Sequence, residues 1–416
     1  MNAPKLQLPP LPAGRNYRFH TMAKPSGAEC NIDCDYCFYL HKTDLLEQPP
    51  HARMDASTLE QFVRQYIESQ TGEQVVFSWQ GGEPTLMGLP FYREVVALQK
   101  KYAKPNQKIE NDLQTNGLAL DDEWVEFLKE NGFHVGLSID GPRELHDLYR
   151  KTKNGKPTFD FVMNAAKRLA AADVPFAALC VVNRSNARYP KEVYRFLADQ
   201  VGTWRIQFNA AVEPRAFKQS APGKMDFSSA PVQDTSRAKP GHPLSIVTDW
   251  SVDPDDYGSF LSGVWDEWLA KDFGRIHVNL FETAVAQAAG LPAQTCTQSE
   301  FCGKGLALEH NGDAYSCDHF VYPEYKLGNI AQAHLGDLAF SATQEKFGMD
   351  KRDTLPKQCR ECDYLKLCWG ECPKNRLIKT RTGEPGLNYL CSGLYHFYAH
   401  IGPDVVRILR HLGHLK

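Results

Sequence analysis

Eleven of the twelve cysteines in this chain fall into two groups spaced like metal ligands, which constrains its folding more than any hydrophobic pattern does. The first group, Cys30, Cys34 and Cys37, reads C-x3-C-x2-C. Such a triplet can hold three irons of a 4Fe-4S cubane and offers no fourth protein ligand. Electron-transfer clusters are normally closed by four thiolates, so an open iron points to a small molecule binding there. A structural zinc site asks for four nitrogen or sulfur ligands, often as paired C-x2-4-C units, and the triplet supplies too few.

The second group is Cys296, Cys302, Cys317, Cys359, Cys362, Cys368, Cys372 and Cys391. It reads C-x5-C-x9-G-x4-C, with Gly312 as the glycine, and then C-x2-C-x5-C-x3-C-x18-C. A zinc ribbon would account for Cys359 to Cys372 alone, not for the whole set. The N-terminal triplet resembles that of the radical S-adenosylmethionine superfamily, in which the cofactor's amino and carboxylate groups bind the open iron. The C-terminal array resembles the auxiliary-cluster module called SPASM. Together these resemblances imply three 4Fe-4S clusters: three ligands for the catalytic one and four for each auxiliary one. Cys180 is then left over, and its apolar run Phe176 to Val182 reads as a buried strand with the cysteine as a small hydrophobe.

A disulfide framework is the other use of many cysteines, but it belongs to short chains, and 416 residues bury a core without staples. Met1 to Pro12 is proline-rich and lacks the basic and apolar regions of a signal peptide. No uncharged apolar run reaches the length of a membrane span. With a formal charge of −3 and no basic tract, nothing argues for nucleic acid or a membrane surface as partner. The expectation is a cytoplasmic protein.

From about residue 54 amphipathic helices alternate with short apolar strands. Ser57 to Glu60 reads as a capping box, after which Leu59, Phe62, Val63, Tyr66 and Ile67 share a helical face that Gly72 ends. Strands are expected at Val75 to Gln80, Ile109 to Gln114, His134 to Ile139, Phe176 to Val182 and Trp204 to Phe208. Helices are expected between them. Serial strand-helix units imply parallel strands with helical crossovers. The expected fold is α/β: a partial (β/α)6 TIM-like barrel followed by the cysteine-rich SPASM domain, with the active site at the C-terminal strand ends. The divisions are a tail at 1–16, the barrel at 17–254, connecting helices at 255–295, SPASM at 296–391 and a C-terminal helix at 392–416. Residues 212–254 break the rhythm with prolines, serines and mixed charges, and read as a surface loop, a lid or a linker, too polar for core.

Gln80-Gly-Gly-Glu-Pro-Thr85 follows a strand, and its glycines let backbone approach a ligand closely. The segment resembles the superfamily's binder of the cofactor's amino group, which implies a contact at Gly82. Tyr36 matches the aromatic position beside adenine. Ser138 ends its strand and Arg150 follows twelve residues later, suited to a ribose and a carboxylate. The resemblance makes both of them, and Ile206, cofactor contacts; on residue type alone they read as a turn residue, a solvated charge and core. Asp318 follows Cys317 directly, so any cluster on Cys317 has this carboxylate beside it. Asn311-Gly312 reads as a hairpin turn. Asp140 is a competing acid that reads more readily as an Asx turn. His319 would either orient Asp318 or lie at the surface.

The motif Cys30-x3-Cys34-x2-Cys37-Phe-Tyr, Gln80-Gly-Gly-Glu-Pro, Cys317-Asp-His and Leu387-Asn-Tyr-Leu-Cys391 together resemble the anaerobic sulfatase-maturating enzymes. That family implies oxidation of a Cys or Ser in a sulfatase Cys/Ser-x-Pro-x-Arg segment to Cα-formylglycine, with Asp318 as base. It further implies Cys296, Cys302, Cys317 and Cys372 on one auxiliary cluster, and Cys359, Cys362, Cys368 and Cys391 on the other. Spacing alone does not give this division. The implied partners are an unfolded or nascent sulfatase segment and an electron donor such as flavodoxin or ferredoxin. The competing enzyme reading is a SPASM-type maturase that cross-links a ribosomal peptide through a thioether or carbon-carbon bond. A non-catalytic electron carrier would be expected to saturate its irons.

Overall fold

Alternate burial along successive strands builds a sheet with one face on helices and the other toward a barrel interior. The computed structural model describes residues 18–224 and 226–413; the expected tail at 1–16 lies outside the described residues. Six strands run parallel in chain order: β1 (His20–Lys24), β2 (Gln74–Trp79), β3 (Lys108–Thr115), β4 (Phe133–Ser138), β5 (Phe176–Val182) and β6 (Arg205–Ala210). The helices α1 (Ala56–Ser69), α2 (Gly88–Tyr102), α3 (Asp122–Glu130), α4 (Phe159–Ala171) and α5 (Pro190–Arg195) lie in the crossovers. This is the expected α/β partial barrel. Along β5, Phe176, Ala178, Cys180 and Val182 are buried, so Cys180 is a core residue. Strand β1 carries too few alternating residues to stand out in the sequence.

Local chemistry shifts two of the expected boundaries. The cap of α1 is Asp55, whose side chain accepts from Thr58 N at 2.7 Å, while Ser57 lies inside the helix. A carboxylate at the positive end of the helix dipole is the stronger cap. The helix ends at Ser69, with Gln70 already extended, ahead of Gly72. The five apolar residues of its expected face are all buried.

Both edges of the barrel sheet are extended. Beyond β6 lie α6 (Pro254–Lys271), strand β7 (His277–Val278), which pairs parallel with β6, and α7 (Asn279–Ala288). On the far side β8 (Gly305–Glu309) pairs parallel with β1, followed antiparallel by β9 (Asp313–Tyr315) and β10 (Lys326–Asn329). The ten-stranded order is β10-β9-β8-β1-β2-β3-β4-β5-β6-β7. The cysteine-rich module therefore continues the barrel sheet. Gly312, at φ 84°, makes the β8–β9 hairpin turn.

Segment 212–254 does not behave as a free loop. Tyr322 and Tyr325 donate to Phe217 O (2.6 Å) and Pro222 O (2.7 Å), Tyr389 donates to Val252 O (3.0 Å), and Gln233 N donates to Lys379 O (2.8 Å). Val212, Val247 and Val252 are buried beneath it. Its polarity masks these few apolar anchors, because its backbone groups are satisfied by the module it covers.

The last long helix, α8 (Cys391–His411), crosses α6 at a glycine pair. A Cβ at Gly393 would lie 1.8 Å from Pro254 O, and one at Gly258 2.4 Å from Gly393 O. Among the described residues no helix is long and apolar enough to cross a membrane. Gly393→Ala would gain about 1 kcal/mol of helix propensity but must push two backbones apart. The net expectation is destabilisation by about 1–3 kcal/mol, as for core overpacking, seen as a lowered midpoint in anaerobic thermal unfolding.

Candidate active site

At the C-terminal end of β1 the chain turns through Lys24 to Cys30, and the Gly81-Gly82-Glu83 loop after β2 clamps that turn. Gly82 N donates to Gly27 O (3.0 Å) and Glu83 N to Glu29 O (2.8 Å). A Cβ at Gly82 would sit 1.9 Å from Glu29 O, so only glycine fits. The buried Glu83 carboxylate accepts from Thr85 N, Thr85 Oγ1, Thr115 Oγ1 and Asn116 N at 2.7–3.1 Å, tying this loop to the end of β3. Burial raises its carboxyl, although these bonds favour the charged form.

The three N-terminal cysteines gather at this clamp. Residues Ile32–Cys34 pair antiparallel with Arg150–Thr152, placing Cys34 opposite Arg150, and Cys37 N donates to Cys34 O at 2.9 Å. Burial pushes the Cys30 thiol up to about 12, with Glu83 and Cys37 adding to it. Burial also raises Cys34, where Arg150 opposes while Cys37 and Cys30 reinforce the rise. Sulfurs that raise one another and have little solvent suit a polycation that would hold them as thiolates. Asn116 Nδ2 (3.7 Å) and Tyr39 N (3.4 Å) donate to the sulfurs of Cys30 and Cys37.

Beside them Tyr36 hydrogen-bonds through its hydroxyl to Asp140 and accepts from Arg150 Nη1 at 3.0 Å. The other Asp140 oxygen accepts from Val181 N at 3.0 Å. Both Asp140 oxygens are thus engaged, one by Tyr36 and one by the β5 backbone, and burial raises its carboxyl. Arg150 is buried and its Nε lacks a hydrogen-bond partner, leaving a donor free for a ligand. Ser138 is buried at the end of β4, on the face it shares with Leu179. Ile206 sits differently. It is fully buried, pairs with Ala178 and shares its strand face with Phe208, which packs on Phe260 of α6. Its side chain therefore faces the helices, and Gln207 takes the interior face.

Asp318, just beyond β9, meets the ammonium of Lys24 in an ion pair, its side chain 16 % exposed and that of Lys24 2 %. Burial alone would raise the Asp318 carboxyl, but Lys24, with His319 and Lys42, holds it below the usual range. Lys24 also donates to Gln80 Oε1 at 3.3 Å and lies over the Tyr39 ring. The His319 ring packs on Phe38 at 4.6 Å, so this histidine is enclosed between the cluster loop and the hairpin module.

The C-terminal cysteines separate into two neighbourhoods. Burial raises Cys317, and Cys296 and Cys372 raise it further; Cys296 acts on Cys302 and Cys372 in the same sense. Burial likewise raises Cys391, reinforced by Cys359, Cys368 and Cys362. Two groups of four neighbouring thiols, or quartets, result: Cys296, Cys302, Cys317 and Cys372, and Cys359, Cys362, Cys368 and Cys391. Lys351 donates to Cys296 O (2.6 Å) and Thr297 O (2.8 Å), and its charge is felt at Cys302. Arg376 is buried between the quartets, where burial disfavours its charge while Cys359, Cys372 and Cys302 favour it. Among the described residues no three Cys, His, Asp or Glu side chains close round one point as ligands of a single metal ion.

Lys24, Lys42, Tyr39, Glu309, Lys351 and Arg376 escaped the sequence reading because lone lysines and tyrosines carry no spacing signal. The strand pairing that brings residue 24 to residue 309 reveals Lys24 and Glu309, and burial singles out Lys42, Lys351 and Arg376.

The radical SAM superfamily pattern matches residues 25–197, and the SPASM iron-sulfur cluster-binding domain matches residues 300–363. These define a radical S-adenosylmethionine enzyme with an auxiliary iron-sulfur module. A serine-type anaerobic sulfatase-maturating enzyme of Bacteroides thetaiotaomicron is 44% identical over 92% of this chain and 89% of its own. A cysteine-type enzyme of Clostridium perfringens is 30% identical over 94% and 98%. The solved structure of native anSMEcpe with bound AdoMet superposes with a TM-score of 0.80 at 29% identity, covering 94% of this chain and 99% of that one. The chain belongs to the anaerobic sulfatase-maturating enzymes.

Gly82→Ala should displace the 26–30 turn and lower the iron bound per chain relative to wild type, measured with labile sulfide after anaerobic reconstitution. Unchanged iron and sulfide would show that the clamp tolerates a side chain.

Proposed function

We propose that this protein oxidises a serine or cysteine in a sulfatase Cys/Ser-x-Pro-x-Arg segment to Cα-formylglycine, with serine as the preferred target. The observation that carries the reading is Asp318, tethered to Cys317 and held as a carboxylate by Lys24 at the strand ends where the cluster cysteines gather. The serine-type relative at 44% identity supports the serine preference, and a structure of anSMEcpe with AdoMet and the Cp18Cys peptide supports a peptide substrate.

Cys30, Cys34 and Cys37 would hold a first 4Fe-4S cluster, and the two C-terminal quartets one auxiliary cluster each. Tyr36, Gly82, Ser138 and Arg150 would contact S-adenosylmethionine, with Ile206 contributing through the packing of its strand. When bound, these groups supply hydrogen-atom abstraction at the substrate Cβ and an acceptor for one electron. The chain's own part is positional and acid-base. Arg150, fixed by Tyr36 and through it by Asp140, presents its free Nε as an oriented donor beside the triplet. Asp318 accepts the hydroxyl or thiol proton, and Lys24 keeps it ionised for that task. Loss of a hydrogen atom, a proton and an electron leaves a carbonyl from serine, or a thiocarbonyl that water exchanges. A carrier such as flavodoxin or ferredoxin would supply reducing equivalents in the cytoplasm.

Reduced enzyme should shorten a Ser-x-Pro-x-Arg peptide by about 2 mass units, and its cysteine counterpart by about 18 on conversion to formylglycine. An intramolecular cross-link in place of these products would replace this reading with peptide cross-linking.

Asp318→Asn should keep iron content and 5'-deoxyadenosine formation while formylglycine falls by about two orders of magnitude, as for loss of a general base. Near-normal product would move the base elsewhere. Replacing Cys30, Cys34 and Cys37 together by Ala should remove about four irons, leaving those of the C-terminal quartets. Retention of all iron would overturn the assignment.

A further inference from the structure

Four of the buried side-chain nitrogen atoms without a hydrogen-bond partner among the described residues belong to His41, Lys42 and His319, beside the Lys24–Asp318 ion pair. Buried polar atoms are normally satisfied, so such a concentration marks where a ligand completes the protein. These residues meet where the cluster loop, segment 212–254 and the hairpin module converge. The His41 ring packs on Phe217 (5.0 Å) and Tyr322 (6.2 Å), and Tyr322 lies four residues beyond Asp318.

Lys42 is the most demanding member. It is 1 % exposed, and its ammonium lies over the Tyr322 ring, 3.0 Å from the centroid. A ring face satisfies part of the charge but leaves directed N–H donors without acceptors. Burial lowers the pKa of the Lys42 ammonium to about 7, while three acids, Glu213, Asp318 and Glu309, favour its charge. Glu213 is paired with Lys374, and Glu309 accepts from Tyr39 and from Gln48 Nε2. Asp318 is held by Lys24. Lys42 therefore keeps donors that no side chain matches, within electrostatic reach of Asp318.

We propose that Lys42 donates a hydrogen bond to the hydroxyl oxygen of the target serine, making it the residue that favours serine over cysteine. The inference rests on the reading that Asp318 deprotonates the residue being oxidised. Lys42 acts only as a hydrogen-bond donor, and the hydroxyl proton goes to Asp318. A hydroxyl is a far weaker acid than a thiol, whose ordinary pKa is about 8.5. A cation aimed at the oxygen stabilises the charge that develops as the proton leaves. Sulfur is a weak acceptor and gains little from the same donor.

The test uses reconstituted full-length protein and three peptides differing only in Ser, Cys or Ala at the target. In Lys42→Met, kcat/KM for the serine peptide should fall by roughly 10- to 100-fold, the range for losing a charged hydrogen bond, and that for the cysteine peptide by less than about threefold. Without reductant, where no turnover occurs, wild type should bind the serine peptide roughly tenfold more tightly than the alanine peptide by fluorescence anisotropy. The variant should lose that difference. Lys42→Gln, which keeps a neutral donor, should fall between the two and serves if the Met variant fails to retain iron. Equal losses for serine and cysteine peptides, or an unchanged serine-alanine binding difference, would overturn the proposal. Wild type that converts neither peptide would instead refute the formylglycine reading, with the binding comparison still judging Lys42.

Discussion

The parallel pairing of β8 with β1 is the constraint on which the site depends. It sets Lys24 opposite Glu309 and, through the short β8–β9 hairpin, delivers Cys317 and Asp318 to the strand ends beside the cluster loop. A slip of one residue would turn Lys24 to the other face of the sheet and leave Asp318 without its cation. The two halves of the chain are therefore one chemical unit, because Asp318, the proposed base, comes from the C-terminal half and the cation paired with it from the N-terminal half.

Two further features fix the unit. The Gly82 clamp lets two backbone loops approach more closely than any side chain would allow, and Glu83 ties the same loop to the next strand. From the other side, segment 212–254 brings Trp250 against Tyr36 (6.5 Å) and Phe217 against His41, while Tyr322 and Tyr325 hold its backbone. It forms a wall of the site, contributing Glu213 to the pair with Lys374.

What was legible in the sequence is what repeats or what has fixed spacing. Strand-helix alternation marked five of the six parallel strands, all but β1, and cysteine spacing marked the two groups of thiols. The quartets were not readable from spacing, because Cys372 sits among the second run of cysteines yet lies by Cys296 and Cys317 in space. The 212–254 segment misled through its polarity, since its anchors are backbone carbonyls that accept from tyrosines, and a carbonyl leaves no mark on residue type. Ile206 shows the converse limit. A position matched by resemblance says nothing about which face of its strand the side chain takes.

Arg376 and Lys351 lie buried among the cysteine quartets, far from bulk water for such cations. Burial raises the thiols of Cys296, Cys302, Cys317, Cys359, Cys368, Cys372 and Cys391, disfavouring thiolate. Glu371 is the carboxylate that bears on both cations. Loading iron and sulfide would bring thiolates and a net negative cluster for those cations to balance. Assembly of the inorganic part and consolidation of the C-terminal module would then be one thermodynamic event, and cofactor insertion a folding step rather than an addition to a finished fold.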